Sequence, residues 1–211
     1  MSKPFILGLT GSIGMGKSAV AAMLRELGVP VFDADAAVHK LQGPDGACLA
    51  PIERAFPGTT GPLGVDRQKL GAAVFGDPDK LRLLESIVHP EVAEMRRMFL
   101  ADNADAPLIV FDIPLLFEKT GHHGLNAVAV VSAPAGVQRE RVLARPGMSA
   151  EKFEKILALQ VPDSEKRARA DYVIDTGLPL AQTREQITAL IAHLRENGPW
   201  PHLPAAPGAS I

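Results

Sequence analysis

Phe5-Ile6-Leu7-Gly8-Leu9-Thr10-Gly11-Ser12-Ile13-Gly14-Met15-Gly16-Lys17-Ser18 opens the chain with an apolar run that flows into a glycine-rich turn. Phe5 to Leu9 has the character of a buried strand. Beyond Ser18, Val20, Met23, Leu24 and Leu27 recur at the spacing of an amphipathic helix. Strand, glycine loop ending in Gly-Lys-Ser, then helix is the whole context of a phosphate-binding loop, not only its residue pattern. Glycines let successive backbone N–H groups turn inward around phosphate oxygens. The helix N-terminus adds partial positive charge at the same point. Gly14, Met15, Gly16, Lys17, Ser18 and Ala19 are therefore the expected nucleotide contacts. Lys17 is expected to reach the β- and γ-phosphates of ATP, and the Ser18 hydroxyl to hold Mg²⁺.

At 211 residues the chain suits one α/β domain with inserted segments. A net charge of −2 gives no electrostatic footprint for wrapping nucleic acid or an anionic membrane. No apolar stretch approaches the length of a membrane span, and the N-terminal apolar run is too short for a signal peptide. The sole cysteine, Cys48, has no partner for an internal disulfide and leaves no room for a cysteine-rich zinc site. A cytoplasmic protein with small-molecule partners, and neither nucleic acid nor membrane, is the expectation.

Further strands are expected at Val29-Pro30-Val31-Phe32, Leu108 to Asp112, Ala127 to Val131 and Tyr172 to Ile174. Between the second and third, the texture is helical to about Asp105. One helix starts at Asp77-Pro78, and Pro90 opens another. The Gly-, Pro- and Thr-rich stretch from Pro57 to Gly64 reads as a loop. A charged helical pair carrying Arg139, Arg141, Arg145, Lys152 and Lys155 is broken at Pro146-Gly147. Ile187, Leu190, Ile191 and Leu194 mark a last helix, and the proline-rich tail from Gly198 reads as disordered. The alternation predicts a five-stranded parallel sheet covered by helices. We expect one domain over 1–197, with its core at about 1–35, 106–134 and 170–197. A helical substrate-binding insertion occupies about 36–105, and a lid about 135–169.

Ligands of such sheets bind at the carboxyl ends of the strands. There phosphoryl transfer needs a phosphate cradle, an acid for the attacking hydroxyl, a magnesium ligand and a mobile cation. Asp33 and Asp35 both qualify as the acid, since positions i and i+2 at a strand end need not point the same way. The alternative for each is an N-cap of the next helix, and Asp35 before Ala36-Ala37-Val38 suits that role. Asp112 stands where a magnesium-shell acid is wanted, or is a strand-end turn acid. Arg141 and Arg145, four apart, are expected on one helix face as a lid that closes over ATP. A solvated basic face is the plainer alternative. His122-His123 has no accompanying ligand cluster, and His89 before Pro90 either caps a helix or contacts substrate.

These residues together resemble the dephospho-CoA kinases. The segments that carry the resemblance are Gly8 to Ser18, Asp33-Ala34-Asp35, His89-Pro90 and Asp112-Ile113-Pro114-Leu115-Leu116-Phe117-Glu118. Gln138-Arg139-Glu140-Arg141 with Arg145, then Gln160, Lys166 and Ala170 to Asp175, complete the ordered set. The phosphate loop alone is shared by many families; the full order is far more specific. The resemblance implies a P-loop kinase core, a helical CoA-binding insertion and a helical lid. It also implies ATP-dependent phosphorylation of the ribose 3′-hydroxyl of dephospho-CoA. It gives Asp35 the role of base and places Asp33, His89, Pro114, Leu115, Leu116 and Glu118 around the acceptor. Lys17, Arg141 and Arg145 join Asp35 as the catalytic set, with Ser18 and Asp112 on the metal. Three departures stand out. Ser12 replaces a common glycine and requires negative φ, Pro146 follows the lid arginine, and Thr176 stands where Asn is common. The rival is another small P-loop kinase. A GTP-binding switch is disfavoured, since Asn103, Asn126 and Asn197 all lack a following lysine.

Overall fold

The computed structural model describes residues 4–120 and 124–196. His122-His123 and the tail from Gly198 lie outside these. The chain runs through β1 (Phe5–Thr10), α1 (Lys17–Glu26) and β2 (Val31–Asp33), then α2 (Ala34–Leu41) and α3 (Leu49–Ala55). A short hairpin, β3 (Thr60–Gly61) and β4 (Gly64–Val65), precedes α4 (Arg67–Val74) and α5 (Pro78–Asp102). The chain continues through β5 (Leu108–Asp112), a π-helical turn (Leu116–Thr120), β6 (Ala127–Ser132) and α6 (Ala135–Leu143). Last come α7 (Ala150–Ala158), α8 (Asp163–Ala168), β7 (Tyr172–Asp175) and α9 (Leu180–Glu196). These elements form two compact units: Met1–Phe32 with Asn103–Ile211, and Asp33–Asp102.

The first unit is built on a five-stranded parallel sheet in the order β2-β5-β1-β6-β7. Its strands read as continuous apolar runs because both faces are covered. Alternation sends Ala127, Ala129 and Val131 of β6 to one face, where they meet Val20 and Leu24 of α1 and Ile187 and Leu190 of α9. Val128 and Val130 point to the other face, onto Leu116 and Phe117. The register pairs Leu9 with Asp112 and Thr10 with Val130. The carboxyl ends of β1, β5 and β6 therefore share one edge, and the loop after Thr10 emerges among them.

Between α6 and α7 the chain turns sharply. Pro146 and Gly147 occupy the central positions, Gly147 takes φ 73°, and the Met148 N–H donates to the Arg145 carbonyl at 3.2 Å. Proline followed by a left-handed glycine is the signature of a type II turn. Ser149 then caps α7 by accepting from the Lys152 N–H.

The second unit is helical around Leu41, Cys48, Ile52, Phe56, Leu70 and Val88. It corrects two expectations. Pro90 does not open a new helix; it lies inside α5, which runs unbroken for 25 residues. Proline removes one i→i−4 bond, to Ser86, but Leu84, Ile87 and Val88 before it and Val92 and Met95 after it pack on the same core. That shared packing carries the helix through. The supposed loop from Pro57 to Gly64 instead holds the start of the hairpin, pinned by Glu53, which accepts from the Gly58 and Thr60 N–H groups. Among the described residues no helix is long and apolar enough to cross a membrane.

Candidate functional site

The loop between β1 and α1 is shaped by two left-handed glycines, Gly14 at φ 78° and Gly16 at φ 86°. Neither position has room for a side chain. A Cβ at Gly14 would sit 2.5 Å from Val142 Cγ2, and one at Gly16 would sit 3.0 Å from Thr176 Oγ1. Ser12 has no positive φ, so its replacement of glycine brings no backbone strain.

The loop amides divide into two sets. The Met15 N–H closes a turn onto the Ser12 carbonyl at 3.1 Å, and the Ala19 N–H bonds the Gly16 carbonyl at 3.0 Å. These two expected nucleotide contacts thus have internal acceptors and shape the loop. The N–H groups of Gly14, Gly16, Lys17 and Ser18 have no acceptor among the described residues. Gly16 is the N-cap of α1 and offers no side-chain cap. Uncapped amides at a helix start, beside left-handed glycines, form an anion cradle.

Lys17 and Asp112 are brought together. The Lys17 ammonium forms an ion pair with the Asp112 carboxylate at the end of the neighbouring β5. Asp112 is buried, 3% exposed, while the Ser18 hydroxyl sits on the exposed first turn of α1. A hydroxyl and a carboxylate are hard oxygen donors that suit Mg²⁺, which keeps waters and phosphate oxygens as its remaining ligands. Among the described residues no cluster of three or more His, Cys, Asp or Glu forms a complete metal cage.

Thr176 sits behind the loop. Its hydroxyl donates to the Met15 carbonyl at 2.7 Å, and its N–H donates to the Ser132 carbonyl at 2.9 Å. Arg141 of α6 reaches it, donating to the Thr176 carbonyl at 2.6 Å and to Oγ1 at 3.2 Å. Arg145 is not on Arg141's helix face. α6 ends at Leu143, and Arg145 lies exposed in the turn beyond. The Pro-Gly turn ends the helix before the four-residue spacing can act. Arg139 pairs with Glu154 of α7 at 2.8 Å, an exposed contact worth little.

The segment after β5 changes meaning. Pro114 and Leu115 are half-buried, and the Pro114 carbonyl accepts from the Thr10 hydroxyl at 3.2 Å. Leu116, expected near substrate, is 1% exposed and belongs to the core with Val128 and Val130. Glu118 is also turned inward. Its Oε1 lies 2.8 Å from the Nζ of Lys166, a fully buried lysine, and accepts from the Val161 N–H at 3.0 Å. Burial alone would push the Glu118 carboxyl up, but the adjacent Lys166 ammonium and the Val161 N–H outweigh it and hold the group below its ordinary value. A buried charge needs such a partner, which is why Glu118 faces Lys166. Near the ends of β6 and β7, a pocket of about 180 Å³ is lined by Ser132, Ala133, Pro134, Arg167, Val173 and Asp175. It is smaller than the roughly 300 Å³ at which small-molecule sites begin.

In the second unit, Asp33 is the N-cap of α2, accepting from the Ala36 N–H at 2.9 Å. The cap role weighed for both acids therefore falls to Asp33. Asp35 lies in the first helical turn, exposed, and its carboxylate has no hydrogen bond or ion pair to the described residues. His89 is exposed on α5, one residue before Pro90.

Sequence reading assigned no role to Gln138, Gln160, Lys166 or Thr176. Gln138 carried one signal: it precedes Val142 by four residues, on the buried stripe of α6. The other three are set by contacts far apart along the chain.

A parallel sheet in this order, with an amide cradle after its central strand and a lysine against the acid of the next strand, is the frame of a P-loop phosphotransferase. The CoaE dephospho-CoA kinase model matches residues 5–181. A dephospho-CoA kinase of Novosphingobium aromaticivorans is 69% identical over 199 residues, 94% of this chain and 99% of that protein. One from Bradyrhizobium diazoefficiens is 53% identical over 191 residues, 90% of this chain and 95% of that protein. Among solved structures, TT1252 from Thermus thermophilus superposes with a TM-score of 0.80 at 38% identity, covering 92% of this chain and 99% of that one. The chain belongs to the dephospho-CoA kinase family.

Proposed function

We propose that the chain transfers the γ-phosphoryl group of ATP to the ribose 3′-hydroxyl of dephospho-CoA, giving coenzyme A and ADP. The observation that carries this reading is the set of unpartnered loop amides beside Lys17, in a chain 69% identical to a dephospho-CoA kinase. The amides of Gly14, Gly16, Lys17 and Ser18 bind the phosphates, and Lys17 follows the charge on the transferring group. Asp35 accepts the proton of the 3′-hydroxyl as its oxygen forms the new bond to phosphorus and the bond to the ADP oxygen breaks. Its exposure and its lack of a partner leave its carboxylate available for that task. Asp33 supports Asp35 by capping the helix that carries it. Ser18 and Asp112 would hold Mg²⁺, which neutralises phosphate charge when bound. Arg145, exposed in the turn, serves as the lid cation, and Arg141 anchors α6 to Thr176. His89, Pro114 and Leu115 are kept as acceptor contacts, whereas the burial of Leu116 and Glu118 argues for support. The lone cysteine, buried Cys48, suits a reducing cytoplasm.

The test is ADP release from ATP with a panel of acceptors: dephospho-CoA, AMP, GMP and shikimate. Efficient turnover is expected with dephospho-CoA alone. A tenfold preference for any other acceptor overturns the assignment and favours the rival small-molecule kinase.

A further inference from the structure

Ile13 lies in the phosphate loop, between Ser12 and the left-handed Gly14. Both polar groups of its backbone are taken by glutamines from the segment that follows β6. The Gln138 Nε2 donates to the Ile13 carbonyl at 2.7 Å, and the Ile13 N–H donates to Gln160 Oε1 at 3.0 Å. A carbonyl only accepts and an amide N–H only donates, so both side-chain amide orientations are fixed by chemistry. The contact has a second support. Val142, four residues after Gln138, fills the space where Gly14 lacks a side chain. One face of α6 thus seats the peptide at Ile13 and the glycine that follows it. Gln138 is 5% exposed, so its bond is shielded from water. Gln160 is anchored in turn through its neighbour, because the Val161 N–H donates to Glu118, the partner of buried Lys166.

We infer that Gln138 and Gln160 are positioning residues for the nucleotide. They fix the Ile13 peptide and so hold the downstream amides of Gly14, Gly16, Lys17 and Ser18 converged before any phosphate arrives. This deepens the functional reading above and rests on that loop receiving ATP. A free loop would have to order itself on binding, at a cost in affinity; a bracketed one is already ordered. The segment 135–169, expected to act as a lid, then sets the shape of the cradle as well as closing over it.

The experiment measures ADP affinity by titration calorimetry for the wild type, Gln138→Met, Gln160→Met and the double variant. KM for ATP, KM for dephospho-CoA, kcat and melting temperature are measured alongside. Each single variant is expected to raise the ADP Kd and the ATP KM by about 5- to 30-fold, the size of one lost hydrogen bond to an ordered group. KM for dephospho-CoA and kcat should change less than threefold. Because both glutamines act through one peptide, the double variant should lose less than the product of the two single effects. Unchanged ADP affinity in the single variants, or strictly multiplicative losses, overturns the inference. A role confined to stability would lower the melting temperature and leave ADP affinity and the KM split untouched. Should Gln138→Met fail to fold, half-buried Gln160→Met alone decides by its ADP Kd. A wild type that binds no ADP would instead refute the functional reading, so the two failures are distinct.

Discussion

The two units hold their candidate residues in opposite ways. In the first, the charged side chains nearest the sheet are engaged, Lys17 with Asp112, Arg141 with Thr176 and Glu118 with Lys166, and Ile13 is held between two glutamines, while Ser18 and Arg145 are exposed. In the second, Asp33 caps α2, but the side chains of Asp35 and His89 are exposed and have no partner among the described residues. The contrast separates two tasks. Binding a highly charged phosphate chain rewards fixed dipoles and charges, since these need no reorganisation when charge moves. Receiving a proton from an incoming hydroxyl requires a carboxylate that is not already committed to another donor. Losses in the first unit should therefore damage nucleotide handling, and losses in the second should spare it.

The largest effect is expected at Lys17. Lys17→Ala should lower kcat by about 10³–10⁵, the range seen when a charge-stabilising cation is lost in phosphoryl transfer. Near-normal kcat would break the comparison at its strongest point. Next comes Asp35→Asn, which should lower kcat by about 10²–10⁴ while ADP binds as in the wild type. Asp33→Asn preserves an N-cap, because Asn and Asp cap about equally well, and should leave kcat nearly unchanged. The large loss appearing at Asp33 instead would exchange the two roles.

Where sequence was enough and where it was not follows from the same contrast. The loop from Gly11 to Ser18 is contiguous, and its function resides in its own backbone, so it was legible as written. The strands and the buried faces of α1 and α9 followed from period and composition alone. Pro90 misled because local chemistry favours a helix start, while packing on both sides of it kept α5 whole. Arg145 misleads because helical spacing is extended from Arg141 beyond Leu143, where α6 stops ahead of the Pro146-Gly147 turn. Gln160 and Thr176 lie 147 and 161 residues from their loop partners, beyond the reach of any local pattern. Glu118 was recognised from its segment, but its direction depends on a lysine 48 positions away that only the fold brings near.

The smallest effect sharpens the picture of that buried pair. The Glu118 carboxyl is held below its ordinary value in the fold, so its contribution is complete above the usual glutamate range, near pH 4.3. The contribution is lost as pH falls through the depressed folded value. Chemical denaturation between pH 6 and pH 3 should show a steeper acid loss of stability for the wild type than for Glu118→Gln. Equal slopes would mean that Lys166 does not hold Glu118 ionised.

The central claim is that the loop amides and Lys17 hand a phosphoryl group from ATP to a sugar hydroxyl. Phosphorus NMR of a reaction containing ATP and dephospho-CoA tests it most directly. The account predicts one new ribose 3′-phosphomonoester for each ADP formed, and no ADP when dephospho-CoA is left out. ADP accompanied by free phosphate, with no phosphorylated acceptor, would contradict it.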